Sequence, residues 1–467
     1  MKPNTSSHNF FVLTKQNLAF WLLASILLFA FLGGRGILTQ KWRWGEIVRW
    51  MLLHHDYFHP TLSGQLYFDK PLVSYWLMLA ITKLTGQLST FNIRLPSAIA
   101  GLISIVCLYQ ISAVWQNRKI ASIATVMLTT SYYFIFWART ASSDALNLAG
   151  ILCAVAWYFS KREQPGWINY SVFLLILALT ALLKGLVAIA ITLLIIAPDF
   201  FKKARTGTIN YWKLLLAFLP AIFIYLLPFW LTSLENHTTF NQTGLYEVYR
   251  ENILRFFQPF DHKDPIYTYF IYLPIYLLPW TPFFLIAIYQ LPKRWYSLTL
   301  ATKQLVIANV CLFLFLTLSG SRRSYYILPM LPFAILFTAE WISLSQMRIK
   351  FAYYTASISF LVLFSWFILL QPLYYSDGGL PKFSEQLTSL TTQQAPKKIW
   401  YVAFLDTDNR LSFYLPNYEM TFLKNHTIDS NTLFKQYDIL ITREAYLKRI
   451  KNLHLHRIML TQPHRGN

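Results

Sequence analysis

Charge is scarce in this sequence. Only 13% of its 467 residues are Asp, Glu, Lys or Arg and only 20 are acidic, while 55% are hydrophobic and the mean hydropathy is +0.39. A large soluble core would need more charged surface than that. Cysteine is almost missing as well. Cys107, Cys153 and Cys311 stand singly in apolar runs, which excludes a disulfide framework and a Cys-based zinc site. No small-residue cleavage site follows the first apolar run, so that run is expected to remain as a span. No repeat stands out, which weighs against a transporter built from paired halves.

What is present is a series of apolar runs, at about 17–38, 95–115, 120–137, 145–160, 168–183, 186–200, 211–232, 266–290, 301–319, 327–345 and 351–371. Many approach the roughly 20 residues that cross a bilayer core, which predicts a polytopic α-helical membrane protein of about 11 spans. Between the runs lie the basic clusters 117–119, 161–162, 202–205, 293–294 and 348–350. With a cytoplasmic amino terminus, eleven spans bring every cluster to the cytoplasmic side, as the positive-inside rule requires. The formal net charge of +21 is thereby explained without nucleic acid. The segment 72–86 is short for a span and contains Lys83, so it is expected to be interfacial or re-entrant. Counting it as a span would put four of the basic clusters outside.

This topology collects the polar segments on one outer face: 39–94, Trp137 to Asp144, the Lys184-Gly185 break, 233–265, Ser319 to Tyr326 and the tail. The expected organisation is a membrane-embedded unit at 1–375 and a small outer α/β domain at 376–467, with interfacial helices in 39–94. In the tail, Ile399 to Leu405, Leu411 to Leu415 and Tyr437 to Thr442 read as strands. Phe383 to Leu390 and Glu444 to Lys451 read as helices, and the tail contains no nucleotide-binding glycine loop.

The densest polar stretch is Gln40 to Pro71, which places Arg43, Glu46, Arg49, His54, His55, Asp56, His59, Asp69 and Lys70 among Trp and Tyr beside an apolar run. Lipid tails cannot satisfy such groups, so the stretch must lie at the water boundary or line a cavity. Lys184 poses the same problem within about 30 apolar residues, and Asp144 sits where two apolar runs meet, suited to a helix N-cap or to a cavity wall. Arg322 and Arg323 are outer charges set against the topological bias, a placement that favours anion binding.

Several pieces together resemble a known family. They are Arg43-Trp44-x-Glu46-Ile47, Asp56-Tyr57-x-x-Pro60, Tyr67-Phe68-Asp69-Lys70-Pro71, Arg94-Leu95-Pro96-Ser97, Ala138-Arg139-x-x-x-x-Asp144, Leu183-Lys184-Gly185, Asn252-x-x-Arg255-Phe256, His262-x-x-Pro265, Pro279-Trp280 and Tyr325-Tyr326-x-x-Pro329. Each is unspecific alone. Their number and order resemble the GT-C type glycosyltransferases that take sugars from polyprenyl-phosphate carriers, especially the lipid A aminoarabinose transferases, with protein O-mannosyltransferases more distant.

The resemblance implies a glycosyltransferase in the bacterial inner membrane, with its active site and C-terminal domain on the periplasmic side. Its partners would be a polyprenyl-phosphate-linked sugar, a lipid, glycan or protein acceptor, and membrane lipids. Arg43, Lys70, Lys184, Arg255, Tyr325 and Tyr326 would hold the donor phosphate, because a leaving phosphate needs donors in a water-poor pocket. Asp69 and Asp144 would be the catalytic carboxylates, and Asp69 with His262 would be ligands for a divalent metal ion. One departure stands out. The family has an acidic pair two residues ahead of the Arg43 position, and this chain has Gln40 and Lys41 there. Either another carboxylate (Asp69, Asp144 or Glu46) serves, or the donor chemistry differs, or the chain is a degenerate paralogue that acts as a lipid-binding or scaffold protein.

Overall fold

The computed structural model describes residues 15–37, 41–235, 244–259, 263–374, 379–395, 399–405, 409–423 and 437–442. Helix α1 (Lys15–Phe29) leads to α2 (Trp42–His54), a short hairpin of β1 (Thr61–Leu62) and β2 (Gln65–Leu66), and α3 (Val73–Thr85). A block of packed helices follows: α4 (Thr90–Trp115), α5 (Arg118–Thr129), α6 (Tyr132–Ala138), α7 (Ser143–Lys161), α8 (Trp167–Lys184), α9 (Val187–Arg205) and α10 (Tyr211–Glu235). Next, α11 (Leu245–Tyr249) runs through a π-helical turn, Arg250–Leu254, into α12 (Arg255–Phe257). The remaining helices before the tail are α13 (Thr268–Tyr276), α14 (Thr281–Arg294), α15 (Leu300–Leu318), α16 (Leu331–Ser343), α17 (Gln346–Phe364) and the short α18 (Gln371–Tyr374).

Among the described residues six helices are long and apolar enough to cross a membrane, or up to seven if the bent α5–α6 pair is one span. The chain is therefore an integral membrane protein. The run at 120–137 is not a straight rod: α5 and α6 meet at 67°. Likewise 266–290 divides into α13 and α14, and the 72–86 segment is the helix α3. Helix α10 shows how the membrane surface is made. Leu215, Leu219, Phe223 and Trp230 are all more than half exposed, a pattern that suits lipid as the neighbour.

Two arginines of the recognised motifs prove to be structural. Arg139 donates to the carbonyls of Leu27 and Ala30 at 2.7 and 2.9 Å, which caps the last turn of α1. Arg94 donates to the carbonyls of Leu32, Arg35 and Gly36 at 3.0, 2.5 and 2.7 Å and fastens the chain between α1 and α2. A buried guanidinium is tolerable where carbonyls take up its donors.

The tail holds α19 (Leu380–Gln394), β3 (Trp400–Leu405), β4 (Tyr418–Leu423) and β5 (Ile439–Thr442) in a parallel sheet of order β4-β3-β5. The helix at 383–390 and the strands at 399–405 and 437–442 appear as expected, and Glu444 to Lys451 lies outside the described residues. One expectation needs correction. Leu411 to Leu415 is not a strand but falls within and just after a 3-10 helix, Asn409–Tyr414, and the third strand is Tyr418–Leu423. The alternation Leu411-Ser412-Phe413 serves a different purpose here: Phe413, 2% exposed, docks on α2, where Gly45 leaves room for its ring. A Cβ on Gly45 would meet Phe413 Cδ2 at 2.3 Å. Arg49 adds a polar tie from α2 to the carbonyl of Tyr418 at 2.7 Å, and the tail therefore holds the helix that follows Lys41.

Phe413→Ala is expected to lower stability by about 3 kcal/mol, as for large-to-small changes of buried aromatics. The check is a lowered thermal midpoint in detergent together with faster proteolytic release of the tail. Gly45→Val should reproduce both effects.

Candidate active site

The termini of several elements meet around one cavity of about 930 Å³ at the polar end of the helix block. Each side chain has a local reason to face it. Lys41 and Arg43 are presented by the start of α2, Tyr67, Asp69 and Lys70 by the loop between β2 and α3, and Asp144 by the first turn of α7. Ser142 caps that helix, accepting from the Asp144 amide at 3.3 Å, so the Asp144 carboxylate is released from capping. Lys184 ends α8 because Gly185 breaks the run. Its φ of 128° favours glycine, and a Cβ there would meet Asn252 Oδ1 at 2.4 Å. Arg255 is brought in by the π-helical turn, and Gly320 fastens that segment by donating to the Phe256 carbonyl at 2.8 Å. Tyr325 and Tyr326 come from the 3-10 turn ahead of α16.

The polar groups form two clusters. In the first, Arg43 donates to the Tyr67 hydroxyl at 2.7 Å, Tyr67 donates to Asp69 Oδ2 at 3.1 Å, and Lys70 Nζ stands 3.1 Å from Asp69 Oδ1. Arg255 pairs with Glu251 and donates to Ser321 Oγ at 3.1 Å and to the Tyr326 hydroxyl at 3.4 Å. In the second cluster Lys184 Nζ lies 2.6 Å from Asp144 Oδ1. Lys184 also stands 5.2 Å above the Tyr326 ring, and Lys41 stands 4.6 Å from Trp137 and 5.8 Å from Tyr325. Tyr326 thus joins the clusters.

The electrostatics differ from group to group. Burial raises the Asp69 pKa, but Lys70 and the Tyr67 hydroxyl outweigh it and hold the carboxyl below its usual range. Burial pushes Tyr67 up to about 12, with Asp69 adding to the rise. Burial also raises Glu251, and Asp69 reinforces it against Lys70 and Arg255. Lys41 is lowered to about 8 by burial, with Lys184, Arg43 and Lys70 adding to the fall and Asp144 opposing it.

Of the residues singled out in the sequence, Arg43, Asp69, Lys70, Asp144, Lys184, Arg255, Tyr325 and Tyr326 all line this cavity. His262 and Gln40 lie outside the described residues. Glu46 does not substitute for the missing acids: it is buried against Arg49, at 2.7 and 2.9 Å, and does not line the cavity. Arg322 is tied to the backbone carbonyls of Asp264, Thr317 and Ser319, whereas Arg323 reaches the cavity. Glu251 and Asn252 line the cavity without having been assigned a role from the sequence. Asn252 lay within a recognised motif, and Glu251 precedes Arg255 by four positions, the spacing of a helical ion pair.

The described part of the site does not fit a metal ion. Both Asp69 oxygens are engaged, one by a lysine and one by a phenol, and no group of three His, Cys, Asp or Glu suited to a metal occurs among the described residues.

Fold and site together define a polytopic membrane protein with a cation- and tyrosine-lined cavity at a helix-block end. Residues 69–231 match the family described as dolichyl-phosphate-mannose-protein mannosyltransferase. The undecaprenyl phosphate-alpha-4-amino-4-deoxy-L-arabinose arabinosyl transferase of Shewanella sediminis is 27% identical over 319 residues, covering 66% of this chain and 56% of the relative. Its Yersinia pestis counterpart is 25% identical, covering 64% and 54%. The matched region thus spans about half the length of these relatives. Among solved structures, ArnT from Cupriavidus metallidurans bound to undecaprenyl phosphate superposes with a TM-score of 0.68 at 16% identity, covering 93% of this chain and 91% of the other. An oligosaccharyltransferase from Archaeoglobus fulgidus gives 0.52 at 14% identity, covering 86% and 62%. The chain has the ArnT-like fold, and the resemblance to GT-C type polyprenyl-phosphate-dependent glycosyltransferases holds in family model, relatives and fold alike.

The Asp144–Lys184 pair should behave as a buried ion pair. Lys184→Met alone is expected to cost about 3–5 kcal/mol because it strands a carboxylate. Lys184→Met with Asp144→Leu should recover most of that, as read from thermal midpoints in a double-mutant cycle.

Proposed function

We propose that the protein is a glycosyltransferase that moves a sugar from a polyprenyl-phosphate donor to a glycolipid, glycan or protein acceptor at the outer leaflet. The observation that carries this is the convergence of Arg43, Lys70, Arg255 and Tyr326 on one cavity, in a fold shared with a protein crystallised with undecaprenyl phosphate. In this reading residues 1–375 form the membrane-embedded catalytic unit with the eleven-span arrangement, and 376–467 form a cap. Cavity and cap face the periplasm of a bacterial inner membrane.

The residues divide the work as follows. Arg43, Lys70 and Arg255 hold the lipid phosphate and take up the charge that develops as it leaves, with Tyr325 and Tyr326 as neutral donors. Asp69 positions Lys70 directly and Arg43 through Tyr67. Asp144 positions Lys184. Glu251 takes the proton of the attacking acceptor hydroxyl, since it is the cavity carboxylate, among those outside the spans, whose proton affinity burial keeps high. The hydroxyl then attacks the anomeric carbon and the lipid phosphate departs. Neither step is routed through a metal ion.

The relatives are named for a 4-amino-4-deoxy-L-arabinose. In this reading the excess of cations around the cavity disfavours a donor sugar that carries a protonated amine.

Transfer is expected from lipid-linked sugars extracted from the host when they are added to purified protein. Lys70→Ala should lower kcat/KM roughly 100-fold, the scale of one lost charge-stabilising donor. Glu251→Gln should lower kcat by about 10²–10⁴ with little effect on KM. Because Glu251 must be deprotonated to act and its pKa is raised, activity should fall toward acid pH at a higher value than an ordinary glutamate near 4.3 would give. Absence of transfer from every donor, together with unchanged envelope glycans in a host carrying Lys70→Ala, would overturn the proposal in favour of a non-catalytic lipid-binding protein.

A further inference from the structure

The charges around the cavity do not balance. Among the described residues it is lined by six cationic side chains, Lys41, Arg43, Lys70, Lys184, Arg255 and Arg323, against three carboxylates, Asp69, Asp144 and Glu251. Each carboxylate is already matched to a cation: Asp69 to Lys70, Asp144 to Lys184 and Glu251 to Arg255. A glycosylated lipid phosphate is a phosphodiester with one negative charge, too little to offset the excess.

Lys41 is where the mismatch is sharpest. Its ammonium makes no hydrogen bond or ion pair with any described residue and rests on the faces of Trp137 and Tyr325. Arg323 likewise has no carboxylate partner among the described residues, and its guanidinium stands beside the Tyr325 hydroxyl. These two half-buried cations have no carboxylate of their own, Lys41 sharing Asp144 with Lys184, and their grouping around one tyrosine is relieved when an anion enters. The lowering of Lys41 to about 8 is the same strain seen from the proton's side.

We infer that the donor carries a second anionic group, a sugar carboxylate or a second phosphate, held by Lys41 and Arg323 beside Tyr325. This rests on the polyprenyl-phosphate donor reading above. It also gives Lys41 a function in place of the acid it replaces: the position sorts donors by charge. An anionic sugar is drawn in, a neutral one is tolerated and a cationic one is repelled.

The test is binding of short probes to the full-length protein in detergent. Farnesyl phosphate is compared with farnesyl diphosphate, and glucose 1-phosphate with glucuronic acid 1-phosphate and glucosamine 1-phosphate. The wild type should prefer farnesyl diphosphate over farnesyl phosphate, or glucuronic acid 1-phosphate over glucose 1-phosphate, by at least 10-fold. The pair that shows the preference identifies the second anion as a phosphate or a sugar carboxylate. Lys41→Gln should abolish that ratio, Lys41→Arg should keep it, and Lys41→Glu should turn the sugar series toward glucosamine 1-phosphate. With Asp144, Lys184, Arg43 and Lys70 facing Lys41, the wild-type ratio should shrink as pH rises from 7 through 9, since the ammonium loses its proton near 8. The ratio of Lys41→Arg should not. Equal affinity within both pairs, or ratios that Lys41→Gln leaves intact, would overturn the inference while farnesyl phosphate binding upholds the donor reading. No binding of farnesyl phosphate at all would instead overturn the donor reading and the inference with it.

Discussion

The interaction on which the site depends is the ion pair of Asp144 and Lys184. It joins the first turn of α7 to the last turn of α8, both buried in the helix block, with Nζ 2.6 Å from Oδ1. Neither charge is tolerable alone among apolar helices, so each fixes where the other's helix must end. Once that end is set, Gly185 turns the chain, Asn252 fits against the turn, and the segment bearing Glu251 and Arg255 is brought over the cavity. Lys184 also stands over Tyr326, which accepts from Arg255. Charge compensation between two helices therefore places groups from the π-helical turn, α12 and the turn ahead of α16.

The second constraint comes from outside the helix block. The start of α2 presents Lys41 and Arg43, and the tail grips α2 through Phe413 on Gly45 and Arg49 on the Tyr418 carbonyl. Glu46, bound to Arg49 through both oxygens, belongs to this support. An acid in a polar motif is easily taken for chemistry. Here its bidentate pair shows that it orients the arginine that holds the tail.

How much of this the sequence disclosed follows from what each signal measures. Hydropathy reports burial in lipid or protein but not direction, which is why the 120–137 run gave no hint of its 67° bend. Alternation reports one buried face, so Leu411-Ser412-Phe413 read as a strand when a 3-10 turn buries the same side chains. The misplaced charges carried more, because a cost in lipid demands a structural answer: Lys184, Asp144, Asp69 and Lys70 all proved to line the cavity. That criterion says where a charge goes but not what it contacts there. Arg94 and Arg139 satisfied it by binding carbonyls, and Glu251 escaped it because it stands beside Arg250 in an outer segment where charge is common rather than within an apolar run.

The replacement at Lys41 looks different in this light. A site that had simply lost its acid would leave a neutral or solvated gap, and decay would place no premium on keeping a cation inside. Instead the lysine is half-buried against Trp137 and Tyr325, beside an aspartate already claimed by Lys184. Burying an ammonium costs free energy, which in the proposed reading a bound anion offsets. The rest of the machinery is assembled: Arg43, Tyr67, Asp69 and Lys70 form an unbroken chain of contacts, and Arg255 is locked to Glu251, Ser321 and Tyr326. In the proposed reading the cavity keeps its phosphate-facing side intact and reverses charge on the other, so the departure at Gln40 and Lys41 changes which substrate the site takes rather than whether it acts.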